Sequence, residues 1–258
     1  MRQNKWVWFL LFLSSIVMLH TVYANSTKNY QFNYQNKKIP DFSTYKPISV
    51  RKKAFITYVS HFAQIANKQI LSDRQHVNQL RKNYLKQQKL LQKDKSWLMN
   101  LANTYNIKHW NINQPHDWNM LLNRIDIVPT SMLLAQAANE SAWGTSRFAQ
   151  QGNNLFGQWC FSPGCGIVPK QRAAGRIYEV QKFPSVLASV QAYILNLNTN
   201  THYQAFRQAR AQLRTQGKPI SGYALADGLR HYSQRGKAYV SDIRYIIVAN
   251  QLGNTELT

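Results

Sequence analysis

Apolar side chains recur every three or four residues between Arg51 and Leu91, and lysine, arginine and glutamine fill most positions between them. This spacing places the apolar side chains on one face of an α-helix and leaves the charged side chains in solvent. The polar pair Ser72-Asp73 interrupts the pattern, so we predict a helical hairpin that breaks there. The apolar positions are Phe55, Tyr58, Val59, Phe62, Ile65 and Ala66, then Val77, Leu80, Tyr84, Leu85 and Leu91.

The same spacing predicts helices along most of the remaining chain, which makes the expected fold class mainly α. Residues 153–176 are instead rich in turn-forming glycine and proline, and residues 176–183 alternate enough for a strand or a hairpin arm. We therefore expect a mostly helical domain with a small irregular lobe inserted into it. The further helices are predicted at 96–105, 117–124, 184–197, 203–215 and 240–252.

One more predicted helix is apolar on nearly every face and carries a carboxylate at its far end. It begins near Pro129, a residue suited to a first turn, and Gly144 is placed to end it. Such a helix belongs in the core, so Glu140 is expected half in low dielectric, where the protonated carboxyl is favoured. A general acid and a helix-end glutamate paired with a cation such as Arg147 both fit this position.

The N-terminus predicts export to the periplasm or cell envelope. A short cationic start precedes an apolar run from Trp6 to Leu19, and Val22 and Ala24 stand where a signal peptidase recognises small side chains. We predict a cleaved signal peptide over residues 1–24. An uncleaved membrane anchor is the alternative, although the run is short for a bilayer span. Residues 25–50 lack periodicity and are expected to form an extended lead-in.

The chain is strongly basic, with 32 lysines and arginines against 10 acids and a net charge of +22 over 258 residues. Loss of Arg2 and Lys5 with the signal peptide lowers this charge by 2, to +20. An exported protein of this charge is expected to meet an anionic envelope surface and not nucleic acid. The charged faces of the basic helical region at 51–117 are also what ordinary solvated helix surface requires.

The two cysteines, Cys160 and Cys165, are separated by Phe-Ser-Pro-Gly. The Pro163-Gly164 turn brings them together, and an oxidising compartment favours a disulfide between them. Metal binding is the weaker alternative, because no histidine accompanies them at the spacing of a zinc site. We predict neither a metal nor a cofactor.

Four ordered segments carry a resemblance to a known family: residues 138–144, 153–157, 190–199 and 238–240. They resemble the glucosaminidase domain of glycoside hydrolase family 73, and the run from Trp159 to Lys170 is similar to its exported, Bax-type subgroup. The resemblance covers roughly residues 118–252. It implies a lysozyme-like helical catalytic domain, which the basic helices at 51–117 precede.

The resemblance implies an endo-β-N-acetylglucosaminidase that cleaves the peptidoglycan glycan after N-acetylglucosamine. We expect the protein to be a monomer. Glu140 then corresponds to the general acid of the family, which agrees with its position at a helix end. Tyr232 resembles the tyrosine that lines the family's cleft opposite the acid. A muramidase or lytic transglycosylase of the same fold is one alternative, and a non-catalytic basic wall-binding protein is another.

Substrate contacts are expected from the residues that follow the Glu140 helix. Asn153 and Asn154 would contact an N-acetyl group, or their amides would only hold the turn. Phe156 belongs either to the same surface or to the core. Trp159 and Phe161 would stack on sugar faces, or pack within the small lobe.

The second carboxylate that many family members carry on the hairpin lobe has no clear counterpart in this chain. Glu179 is the nearest glutamate, although it comes later than the family's pattern places it, and Asp227 and Asp242 are further candidates. Alternatively, the acetamido group of the substrate serves as the nucleophile. Inversion, retention and substrate assistance all stay open.

Overall fold

The computed structural model describes residues 30–36 and 38–256. The chain forms two compact units, residues 1–33 and 34–258. Residues 30–33 are described in the first unit, where the rings of Tyr30 and Phe32 stack with their centroids 6.0 Å apart. The predicted signal peptide at 1–24 lies outside the described residues. The helices and strands described lie in the second unit.

The described part of the second unit contains nine α-helices and one small antiparallel sheet, so the predicted mainly α, lysozyme-like fold class is confirmed. Every described helix is too short or too polar to serve as a membrane span. The helices are α1 Ile48–Gln87, α2 Gln92–Thr104, α3 Pro115–Arg124, α4 Thr130–Ser141, α5 Arg147–Gly152, α6 Val186–Thr199, α7 Gln204–Thr215, α8 Gly222–Leu225 and α9 Lys237–Ala249. The strands are β1 Trp159–Cys160, β2 Gly166–Ile167 and β3 Glu179–Gln181.

The predicted break at Ser72-Asp73 is wrong, because α1 continues through both residues for 40 residues in all. The buried stripe resumes at Val77, so packing favours one straight helix over two. Asp73 accepts a hydrogen bond from Gln69 Nε2 at 3.0 Å, one turn earlier, so its carboxylate does not begin a new helix. The chain leaves the helix at Gln88, which has a left-handed backbone with φ 52°.

The other predicted helices are present, with ends moved by a few residues. The largest local difference concerns Asp117, which we expected at the start of its helix. Gln114 occupies the N-cap position of α3, and Asp117 lies in the first turn. Its Oδ2 accepts the backbone N–H of Asn111 at 2.8 Å, so it holds the preceding turn.

Helix α4 is the central element of the core. Residues 130–138 are all buried, and α4 packs against α1, α8, α9 and the 3₁₀ turn Leu252–Thr255. No hydroxyl caps its N-terminus; instead the backbone N–H and the Oγ of Ser131 donate to the Glu256 carboxylate. After Ser141 the backbone turns left-handed, and at Gly144 a Cβ would lie 2.5 Å from the Phe42 ring. Glycine is therefore required where the helix ends.

A buried ionic cluster fixes the segment that enters α4. The Asp126 carboxylate is 3% exposed and faces three arginines, Arg74, Arg210 and Arg214. Burial alone would raise the pKa of Asp126, but the hydrogen bonds from Arg214 and the charges of Arg210 and Arg74 outweigh it and lower this pKa. The backbone carbonyls of Asp126 and Ile127 also accept from Arg210, so the cluster anchors the chain just before α4.

The small lobe after α5 is the three-stranded sheet, with strand order β1-β3-β2 and both pairings antiparallel. Cys160 lies opposite Glu179, and Trp159 lies opposite Val180. The strand predicted within 176–183 is thus confirmed as the central strand β3, and the lobe lies between α5 and α6 in the chain.

Candidate active site

Glu140 lies in the last turn of α4 and is half-buried. Its Oε1 accepts a hydrogen bond from Tyr239 Oη at 2.8 Å and one from Asn139 Nδ2 at 3.2 Å. Its Oε2 accepts no hydrogen bond from the residues that the structure describes. The two oxygens are therefore in different environments, one held by the protein and one available to another molecule.

A chain of buried hydrogen bonds extends from Oε1 of Glu140 into the core. Tyr239 Oη, which donates to Glu140, accepts from Gln136 Nε2 at 2.8 Å. Gln136 Oε1 in turn accepts from the hydroxyl of Tyr193 on α6. Burial raises the pKa of Tyr239, and the neighbouring Tyr232 and Glu140 raise it further, so its hydroxyl stays protonated and able to donate.

Stacked aromatic rings form the wall behind this chain. Phe156 stacks on Tyr193 with ring centroids 4.0 Å apart, and Tyr232 stacks on Tyr239 at 5.5 Å. The hydroxyl of Tyr232 donates to the backbone carbonyl of Phe156 at 2.8 Å and not to Glu140. Burial, followed by the charge of Glu140, raises the pKa of Tyr232. Tyr232 thus lies near the acid but holds the loop that carries Phe156.

The loop at 153–157 returns to the end of α4, as its sequence predicts. At Gly157, which has φ +66°, a Cβ would lie 3.8 Å from Glu140 Oε2. Asn154 is buried, and its Oδ1 accepts the backbone N–H of Phe156 at 3.2 Å and that of Gln158 at 3.1 Å. Asn153 Nδ2 donates to the Phe183 carbonyl at 3.0 Å. Both amides hold the loop in this structure.

In the sheet lobe, Cys160 and Cys165 form the predicted disulfide, with Cα atoms 6.2 Å apart. Glu179 is buried at 6% exposure beneath the disulfide loop. Its Oε1 accepts the N–H of Gly164 at 3.0 Å, and its Oε2 accepts the N–H of Gly166 at 2.7 Å. These two backbone hydrogen bonds lower the pKa of Glu179, and the one from Gly164 has the larger effect. Glu179 is therefore held as a carboxylate.

Residues 116–252 match the sequence profile of the glucosaminidase family, described as mannosyl-glycoprotein endo-beta-N-acetylglucosaminidase. This chain belongs to the glucosaminidase family. The chain is also 36% identical to protein bax of Escherichia coli (strain K12) over 217 residues, which is 84% of this chain and 76% of that protein. No solved structure matches the chain. The Bax-type resemblance in the sequence is confirmed, and glycosidase chemistry is the general activity of the family.

The remaining carboxylate candidates, Asp227 and Asp242, are engaged with arginines at the surface. Asp227 accepts from Arg230 at 3.0 Å and from Arg244 at 2.6 Å, and Asp242 pairs with Arg235 at 2.7 Å. Among Glu179, Asp227 and Asp242, each carboxylate thus has its own partners. Hydrogen bonds from Arg244 and Arg230 lower the pKa of Asp227.

Two aromatic side chains of the small lobe, Trp159 and Phe161, are exposed to solvent. Trp159 is 53% exposed, and one face of its ring stacks on Tyr178 with centroids 4.5 Å apart. Phe161 is 65% exposed. The contact with Tyr178 holds the Trp159 ring in place, which suits a rigid stacking surface.

The sequence interpretation missed Gln136, Tyr193 and Tyr239 as members of the site. One signal was available, since Gln136 precedes Glu140 by four residues and therefore lies on the same helix face one turn earlier. Tyr239 stands in a segment that carries the family resemblance, but no role was assigned to it. Its contact with Glu140 joins two residues that lie 99 positions apart in the sequence, and the local spacing of residues does not predict such a contact.

Proposed function

We propose that this protein is an endo-β-N-acetylglucosaminidase that cleaves peptidoglycan glycan strands after N-acetylglucosamine, with Glu140 as the general acid. The observation that carries the proposal is the asymmetric setting of this carboxyl in a chain of the glucosaminidase family. Oε1 is held at 2.8 Å by Tyr239, whereas Oε2 accepts no hydrogen bond from the described residues. A general acid needs such an oxygen, from which a proton can pass to the leaving glycosidic oxygen.

The peptidoglycan substrate is favoured by charge. A net charge of +22 attracts an anionic polymer, and the cell wall is one that an exported protein meets. The Cys160–Cys165 disulfide is consistent with an oxidising compartment outside the cytoplasm. We therefore propose a monomeric enzyme of the periplasm or cell envelope, with glycan strands as its partner.

We propose that the acetamido group of the substrate is the nucleophile, whose carbonyl oxygen attacks the anomeric carbon while Glu140 protonates the leaving oxygen. Water then opens the resulting oxazolinium ring and gives its proton to the Glu140 carboxylate. Glu179 supports this choice, because both of its oxygens accept backbone N–H groups of the disulfide loop. A carboxylate bound in this way stabilises the lobe, and its burial at 6% exposure shields it from a substrate. The 2-acetamido group of N-acetylglucosamine is present in every substrate unit and needs no side chain as nucleophile.

Purified protein incubated with peptidoglycan sacculi tests the proposal. We expect soluble fragments with N-acetylglucosamine at the reducing end, identified by mass spectrometry. Glu140→Gln should lower the rate by about a hundredfold to ten-thousandfold, because it removes the transferable proton. Reducing-end muramic acid or an anhydro product would instead assign a muramidase or a lytic transglycosylase. No fragments at all would indicate a wall-binding protein.

Glu179→Gln is the matched control, since it makes the same chemical change to the other glutamate within the family-matched residues 116–252. We expect this variant to keep more than a tenth of the wild-type rate when it is folded. A loss as large as that of Glu140→Gln, with unchanged circular dichroism, would make Glu179 the second catalytic carboxylate and would contradict substrate assistance.

A further inference from the structure

The direction of the hydrogen bonds behind Glu140 is determined by Gln136. An amide NH₂ has only donors, so Tyr239 Oη must accept from Gln136 Nε2 with a lone pair. The single hydroxyl proton of Tyr239 is then free to point at Glu140 Oε1, 2.8 Å away. Gln136 Oε1 is oriented by the Tyr193 hydroxyl, which donates to it.

This direction decides which oxygen of Glu140 carries the proton. Because Oε1 already accepts the proton of Tyr239, an added proton binds Oε2. Oε2 faces Gly157, where a Cβ would lie 3.8 Å away and the native residue has none. The titratable groups that interact with Glu140 in the described part of the chain are Tyr193, Tyr232 and Tyr239, and burial raises the pKa of each.

We propose that Gln136 is a positioning residue, whose amide makes Tyr239 a donor to Glu140 Oε1 and thereby keeps the transferable proton on Oε2. The proposal rests on Glu140 being the general acid of the proposed function. Gln136 is fully buried and acts only through Tyr239, so its effect on Glu140 disappears when the Tyr239 hydroxyl is removed. A residue that served packing alone would show no such dependence.

The chain offers a direct measurement, because it contains only three glutamates, Glu140, Glu179 and Glu256. Glutamate labelled with ¹³C at Cδ gives three carboxyl resonances, and the resonance that Glu140→Gln removes belongs to Glu140. The pH titration of this resonance is followed in the wild type, Gln136→Met, Tyr239→Phe and the double variant. Met keeps the length of the side chain and removes the amide.

We expect Glu140 to titrate about half a pH unit higher in Gln136→Met than in the wild type, because an unpolarised hydroxyl is a weaker donor to the carboxylate. Tyr239→Phe should raise the titration midpoint of Glu140 further, by about one unit. In the double variant, the addition of Gln136→Met to Tyr239→Phe should cause no further rise of this midpoint. An equal shift in both backgrounds would overturn the proposal, since it would report only a more apolar surrounding. No shift in the single variant would also overturn it.

Tyr193→Phe provides a second variant that leaves Gln136 in place, and a smaller shift in the same direction is expected once Gln136 Oε1 loses its donor. Should Gln136→Met fail to fold, an unchanged titration in Tyr193→Phe would overturn the proposal. In the active enzyme, Gln136→Met should lower kcat about threefold, the factor that half a pH unit represents, and leave KM within twofold. The titration needs no substrate, so a wild type that fails to cleave sacculi would reject the proposed function separately.

Discussion

Glu140 is supported by residues of α6, α9 and the loop after α5, as well as by its own helix. Tyr239 comes from α9, and Gly157 comes from the loop after α5. Tyr193 and Gln136 complete the support without touching the carboxyl. The position of the acid therefore depends on the packing of α4 against α9 and on the hydrogen bond that joins α4 to α6.

Trp159 is the side chain for which we expect a role in binding glycan, since its exposed face is held against Tyr178. Trp159→Ala should raise KM for sacculi about fivefold, which corresponds to about 1 kcal/mol, and leave kcat unchanged. Steady-state kinetics on purified sacculi measure both values. Ile177→Ala is the control, because Ile177 is a similarly exposed apolar side chain of the same lobe, and it should leave KM unchanged. Equal effects of the two variants would contradict stacking by Trp159.

The chemistry of single side chains could be predicted from the sequence only in part. The apolar helix singles out Glu140 as a candidate, and the resemblance to the family is what predicts its role as general acid. The partners of Glu179 were not predictable, because they are backbone N–H groups of Gly164 and Gly166, and backbone amides leave no sequence signal. Tyr232 was placed near the acid on resemblance, but its hydroxyl bonds the Phe156 carbonyl.

Helix α4 is held at its N-terminal end by two other parts of the chain. The Glu256 carboxylate accepts from Ser131 in the first turn and from Gly222 N at 3.0 Å, where a negative charge also suits the helix dipole. Before the first turn, Asp126 and its arginines fix the entering segment. The position of Glu140 thus depends on contacts at the opposite end of its helix.

Asp126→Asn should lower the free energy of unfolding by about 3 to 5 kcal/mol, because it leaves Arg210 buried without a countercharge. The folded protein lowers the pKa of Asp126, so this contribution is complete above the unfolded value of about 4 and is lost as pH falls below it. Urea unfolding between pH 3 and 7 should therefore show the wild type and the variant converging at the acid end.

The control for this prediction is Asp242→Asn, which breaks the surface pair with Arg235. Its cost should be below about 1 kcal/mol, as for other exposed ion pairs. A comparable loss of stability in both variants would show that burial of the Asp126 cluster does not matter.

Helix and strand positions were largely predictable, since apolar periodicity reports which face of an element is buried. The failure at Ser72-Asp73 has a physical cause, because both residues are common at helix ends yet neither prevents a helix from continuing. The stripe that resumes at Val77 decided the outcome. Short-range pattern therefore located the elements, and long-range packing determined where α1 ends.

The molecule as a whole combines a basic exterior with a proposed catalytic centre that holds few charges. Helix α1, about 60 Å long at 1.5 Å per residue, contributes much of this surface. A single acid in it, Asp73, accompanies several basic residues. The exposed lysines of α1 are Lys53, Lys68, Lys82 and Lys86.

We expect this surface to govern attachment to the wall and not the chemical step. Raising ionic strength from 50 to 300 mM should lower affinity for whole sacculi several-fold, because the Debye length falls below about 10 Å above 0.1 M salt. The rate on a short neutral glycan should change little. Co-sedimentation measures the affinity for sacculi, and product assays run in parallel measure the rate. Lys68→Gln, Lys82→Gln and Lys86→Gln together should reduce the salt dependence. A parallel fall of affinity and rate would show that the charge acts at Glu140 itself.

The hydrogen bonds from Tyr239 to Glu140 and from Ser131 to Glu256 span 99 and 125 residues of sequence. Since a chain is made from its N-terminus, α4 exists well before either partner does. A nascent chain that stops short of residue 239 carries Glu140 with no donor on Oε1 from α9. The proposed lytic activity is therefore acquired late in synthesis, and prematurely terminated fragments should be harmless to the cell wall.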